Sequence, residues 1–219
     1  MNIIKKIISL FQRKKKEEQH PLIMNNTRTA QHEAAHGIVW FLFRQNWTVN
    51  QLTIQRENLP DETMNGALHI SPSFGVGQNT IERANELFAI ALAGMIGQNI
   101  DLVIQRENLI IEIANAAHFN QILDTTGCGG DFEIASTFLA PLANQFGVNE
   151  GSFTKYKVMD LISMFQDHYR VQQLHNLLTR SLLENGTLSR QELLDFFEIN
   201  NFQDYVEDEN LDINFFNQN

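Results

Sequence analysis

Five residues, His32-Glu33-Ala34-Ala35-His36, constrain this chain more tightly than any other stretch of it. They lie in a segment of helical periodicity from about Thr29 to Arg44, with Thr27 or Thr29 placed to cap its start. Residues four apart stand one above the other on a helix, so both imidazoles can converge on one metal ion while Glu33 turns toward the ion's open side. Two histidines and a carboxylate would leave a zinc ion one position for water, whose pKa the ion lowers from 15.7 to about 7. Glu33 would accept that water's proton as it attacks a peptide carbonyl, then hand it to the leaving amine. The plainer alternative is an amphipathic helix with two surface histidines. Against it, Ile38, Val39, Phe41 and Leu42 follow at once and mark the helix as a core element.

The third ligand must come from elsewhere. Leu42 stands where the extended HExxHxxGxxH pattern would place a histidine. Glu57, Glu62, Glu82, Glu86 and Asp131 are all candidates, and spacing does not choose between them. Asp131 is the most suggestive, since it opens a helix just after a glycine-rich turn, but the same position suits an ordinary helix N-cap.

A length of 219 residues suits one domain with appendages, and 43% hydrophobic against 19% charged residues marks it as globular. The single cysteine, Cys128, excludes an internal disulfide and a thiolate-rich metal cluster, and fits a reducing, cytoplasmic compartment. The longest apolar run, Leu87 to Gly97, is about half of the roughly 20 residues a membrane span requires and reads as a buried helix. A net charge of -10 argues against nucleic acid as a partner.

That charge is uneven. Six of the sixteen Lys and Arg residues fall within the first sixteen positions. Ile3, Ile4, Ile7, Ile8 and Phe11 share one helical face there, with Lys5, Lys6 and Arg13 off it. Residues 1–18 therefore read as a basic amphipathic helix, suited to an anionic membrane surface or a docking partner; packing on its own domain is the other reading. Residues 19–198 form the main domain. Residues 199–219 are an acidic, Asn-rich tail carrying Phe202, Tyr205, Phe215 and Phe216, expected as disordered, with a docking peptide or a self-covering strand as the alternative.

Within the main domain, Gln19 to Asn26 reads as a connection broken by Pro21, and Trp47 to Ser73 has β character, with Val49, Leu52 and Ile54 in one run and Ala67 to Ile70 in another. Helical patterns follow at Thr80 to about Gln105, Leu109 to Leu123, Asp131 to Phe146 with Pro141 inside, Lys155 to Leu183, and Ser189 to Phe197. The expected fold class is mainly α (α+β), with a small β-sheet next to the HExxH helix. IQRENL occurs twice, at Ile54 to Leu59 and Ile104 to Leu109, in contexts too different for a repeated structural unit.

Three separated stretches carry a further likeness: TRTAQHEAAHGIVWFLF, TTGCGGDFEIASTFLAPLANQFG and LHNLLTRSLLENGTLSRQELLDFF. Together they resemble the peptidase domain of the FtsH family of ATP-dependent zinc metalloproteases. The first resembles that family's zinc helix, HEAGHA followed by an apolar run. The second resembles its TTGASND segment and the helix after it, and the third its C-terminal part, where a helix ending in LLE meets a TL turn and an acidic helix. The resemblance spans about residues 27 to 198. It implies that His32 and His36 ligate zinc, that Glu33 is the catalytic base, that Asp131 is the third ligand, and that the Gly66 to Ser71 strand lies beside the cleft, open to an extended substrate.

The chain also departs from the family pattern. Ala35 replaces the motif glycine and Gly37 follows the second histidine. The family's GRAAEE-like segment is here Gly94-Met95-Ile96-Gly97-Gln98-Asn99, an insertion separates that helix from Thr125, Cys128 replaces a small residue, and Pro141 stands mid-helix. The family's membrane spans and its ATPase module with a GxxxxGK[ST] phosphate loop are not in this sequence. The expectation is thus a peptidase that cuts flexible or already unfolded polypeptides, or borrows an unfoldase in trans, with a homo-oligomer as a further candidate because family peptidase domains form rings. The rival from another class is an inactive FtsH-like domain retained as a binding or scaffold subunit of a protease complex.

Overall fold

A computed structural model of the chain describes residues 21–55, 66–73, 80–101, 129–208 and 211. The basic N-terminal segment, Glu57, Glu62, the second IQRENL copy, the expected helix at 109–123, Cys128 and residues 212–219 lie outside the described residues.

The first helix, α1, runs Pro21–Leu42. It begins at Pro21, where a connection was expected, because proline in a first turn lacks only an N–H that would be unpaired anyway and its fixed φ suits the helix. Along α1, Ala30, Ala34, Ala35, Ile38, Val39, Trp40, Phe41 and Leu42 are all buried, so the helix is the axis of the core. Two strands follow, β1 (Trp47–Thr53) and β2 (Ala67–Pro72), and pair antiparallel with Leu52 opposite Leu68 and a bulge between Val49 and Gln51. Then come α2 (Thr80–Gly97), α3 (Gly129–Gln145), α4 (Glu150–Asp167) and α5 (Tyr169–Asn185). β3 (Thr187–Ser189), α6 (Arg190–Ile199) and α7 (Phe202–Asp208) complete the order.

The architecture is mainly helical with a small antiparallel sheet of order β2-β1-β3 among the described residues. The expected TL turn is the strand β3, too short to show alternation in the sequence and formed by tertiary pairing with β1. Thr53 and Thr187 join hydroxyls at 2.6 Å, and the Ile54 amide donates to the Gly186 carbonyl at 2.8 Å. Gly186, at φ +75°, ends α5 with its own amide on the Leu182 carbonyl, a left-handed conformation that glycine adopts without strain. Ser189 and Glu192 then form a reciprocal capping box that starts α6.

The single helix expected over Lys155 to Leu183 is two, broken at His168, whose backbone is extended. Phe165 before the break and Val171 and Leu174 after it are all buried, so apolar periodicity runs across the break and conceals it. The acidic C-terminal segment also differs from expectation. Its first part is α7, with Phe202 and Val206 buried and Leu211 beyond it buried as well; the Phe202 ring lies 5.3 Å from Phe41 and 5.5 Å from Phe197. No helix among the described residues is long and apolar enough to cross a membrane.

α1 packs chiefly on α2 and α5. At the α1–α5 seam His175 is fully buried, and burial pushes its pKa down from 6.5 to about 4, against the opposing hydrogen bond to Gln31 and the charge of Asp101. Since the folded value lies below the unfolded one, the unfolded chain binds the extra proton between them. Stability held by neutral His175 is therefore complete above about pH 6.5 and lost as the pH falls toward 4. Urea unfolding at pH 7 and pH 4.5 is expected to show a loss about 2–3 kcal/mol larger for the native chain than for His175→Gln.

Candidate metal centre

Three donor groups from two distant parts of the chain meet beside α1. His32 and His36 project from adjacent turns of one face, their ring centroids 4.6 Å apart and nearly perpendicular. Asp131 comes from the first turn of α3, ninety-nine residues after His32. Ala135, Leu139 and Leu142 continue its helix stripe into the core and hold that turn in place. His32 Nε2 lies 2.7 Å from Asp131 Oδ2 and 2.9 Å from His36 Nε2, and His36 Nε2 lies 3.4 Å from Asp131 Oδ2. The three side chains are 12%, 5% and 28% exposed in the order His32, His36, Asp131, so the site is shielded on the helix side and opens past the carboxylate.

The donors are oriented from behind. His36 Nδ1 donates to the Ile90 carbonyl of α2 at 2.6 Å, which leaves the Nε2 lone pair facing the other two donors. In the absence of an ion, burial would raise the Asp131 carboxyl, but the imidazoles in their protonated form, through the His36 charge and hydrogen bonds from both rings, outweigh it and hold Asp131 well below the usual carboxylate range. With both imidazoles neutral, two ring nitrogens and a carboxylate facing one point form an anionic hollow suited to a cation. As a group the three could hold a metal ion. Tetrahedral ligation at about 2.0–2.1 Å separates ligand atoms by about 3.3 Å, so this triangle fits an ion after its shortest side opens by about 0.6 Å.

Glu33 sits next to the triad and is 3% exposed. Its Oε2 is buried without a hydrogen-bond partner among the described residues. Burial raises its pKa to about 7, against the charges of His36 and His32 and with a smaller upward push from Asp131. An unpaired carboxylate poised near neutrality is suited to proton transfer.

Backbone approaches shape the rest. A Cβ on Gly94 of α2 would overlap His32 Nε2 and lie 2.5 Å from His36 Nε2. A Cβ on Gly66, at the start of β2, would lie 2.6 Å from Glu33 Oε1. Strand β2, an edge of the sheet, thus begins against the Glu33 carboxylate.

Of the five carboxylates that spacing left open, the structure brings Asp131 alone to the histidines among the described residues. Glu86 is committed elsewhere: buried, its pKa raised by burial, it accepts from Asn46 Nδ2 at 2.7 Å and Trp47 Nε1 at 2.8 Å and locks the turn from α1 into β1. Glu82 is not in the group, and Glu57 and Glu62 lie outside the described residues. Sequence reasoning did not assign roles to Gly94 or the Ile90 carbonyl. Gly94 left a trace as a glycine inside a strongly apolar helix; a backbone carbonyl leaves none.

No protein-family model matches the chain, and no curated protein matches it at a significant level.

Proposed function

We propose that the chain is a zinc-dependent metalloendopeptidase acting on unfolded or flexible polypeptides. The observation that carries this reading is the meeting of His32, His36 and Asp131 beside the buried, unpaired carboxylate of Glu33. In this reading His32 Nε2, His36 Nε2 and an Asp131 oxygen hold the zinc. When bound, the ion supplies Lewis acidity, polarising a carbonyl and lowering the pKa of water to about 7. Glu33 takes up the proton released as the peptide carbonyl is attacked, holds it at Oε2 and passes it to the leaving amine. The Ile90 carbonyl keeps His36 in one tautomer throughout. The edge that β2 presents among the described residues offers an extended substrate backbone hydrogen bonds leading to Glu33.

The altered Gly94 to Asn99 segment and the absence of the ATPase module from this sequence favour the inactive-subunit alternative, but one departure from the FtsH peptidase pattern is compensated within the fold. That pattern has glycine at 35 and alanine at 97, whereas this chain has alanine at 35 and glycine at 97. A Cβ on Gly97 would overlap the Ala35 methyl, so the exchange keeps one methyl in the contact between α1 and α2. The chain works in this reading as a cytoplasmic peptidase served by an unfoldase in trans, with residues 1–16 as a membrane-surface or docking element.

Chelator-stripped protein is expected to leave an unfolded casein intact and to regain cleavage as zinc approaches one equivalent. Full zinc occupancy without cleavage would favour an inactive binding subunit instead.

A further inference from the structure

His175 is tied to the backbone that carries the first histidine of the metal centre. Its Nε2 donates to the Gln31 carbonyl at 2.7 Å, across 144 residues and two helices. Gln31 immediately precedes His32, so this carbonyl belongs to the peptide group that enters His32. The imidazole is fully buried, and Phe165 meets it edge-on at 5.7 Å. With Nε2–H on a carbonyl, Nδ1 carries the lone pair, and it is buried without a hydrogen-bond partner among the described residues. A leucine would fill such a site without stranding a polar nitrogen, so the hydrophobic effect does not explain a histidine here.

The surroundings are built around this bond. A Cβ on Gly97 would overlap the Gln31 carbonyl oxygen and lie 3.0 Å from His175 Nε2, so α2 leaves space at the point where the bond forms. The same helix brings Gly94, one turn earlier, against both imidazoles and the Ile90 carbonyl, two turns earlier, to His36. His36 is therefore anchored from α2 through its ring, whereas His32 is anchored from α5 through its main chain.

We infer that His175 is a positioning residue for the metal centre, fixing the peptide between Gln31 and His32 so that the His32 ring keeps its aim at Asp131 and His36. The inference rests on the metal-site reading and goes beyond it. A ligand free to swing loses affinity for its ion; partners bonded directly to a ligating side chain are worth about 10–100-fold in metal binding, and a main-chain anchor one residue away is expected at the lower end of that range.

Cobalt(II) binding to the full chain, followed by its visible ligand-field spectrum, tests this. His175→Asn keeps an amide in the cavity but is too short to reach the Gln31 carbonyl; His175→Gln places a donor where Nε2 stood. The Asn variant is expected to bind cobalt at least tenfold more weakly with an altered spectrum, and the Gln variant to return within about threefold of the native affinity. His175→Leu should match Asn in affinity while keeping more of its thermal stability. Native affinity and spectrum in the Asn and Leu variants, with only the melting temperature changed, would overturn the positioning role. Absence of cobalt binding by the native chain would overturn the metal reading itself, a different result from either.

Discussion

Replacement of Glu33 by glutamine is expected to reduce cleavage of an unfolded substrate by about 10²–10⁴-fold while zinc content stays at the native level. Glutamine preserves the shape of the side chain and its contact with the start of β2, where Gly66 leaves room for little else. It removes the only property the mechanism needs at that position, a carboxylate able to take up and release a proton near neutral pH. The two readouts must separate. Zinc lost together with activity would make Glu33 a ligand, and unchanged cleavage would place the base elsewhere or trace the activity to a contaminant.

Gly94→Ala is expected to weaken zinc binding by about 10–100-fold and to reduce cleavage with it. The added methyl would enter the space held by both Nε2 atoms. The imidazoles cannot yield easily, because His36 is held at Nδ1 by the same helix and His32 is packed at its side. Either α2 withdraws from α1, or the rings turn away from Asp131; both outcomes open the donor triangle. Overpacking of this kind costs about 1–3 kcal/mol, so the variant should remain folded, with a native circular dichroism spectrum and a lowered melting temperature. Native zinc affinity in folded Gly94→Ala would show that α2 does not shape the site.

Some of this was legible in the sequence and some was not, for identifiable reasons. The α1 helix announces itself because an apolar stripe and two histidines four apart share one period, and the β1 and β2 strands because Val49 and Leu52 are buried and Leu68 packs, half-buried, against the same core. Asp131 was placed beside the histidines by its resemblance to a family motif, since a separation of ninety-nine residues from His32 carries no periodic signal of where the chain returns. The break at His168 was hidden because burial continues on both sides of it, and β3 because three residues form a strand only when β1 is there to pair with them. The acidic stretch after Ile199 looked like a tail because its charge outweighed the few aromatic residues that in fact dock it: Phe202 stacks on Phe197, and Tyr205 reaches His168 at 3.1 Å.

The proposed chemistry turns on one cation held by His32, His36 and Asp131. Anomalous diffraction at the zinc edge, from crystals of the full chain loaded with one equivalent of zinc, measures this most directly. The prediction is a single strong peak about 2.0–2.2 Å from Nε2 of both histidines and a carboxylate oxygen of Asp131, absent in crystals of His36→Ala. A peak ligated by other residues, or none at this site in protein shown to carry zinc, would contradict it.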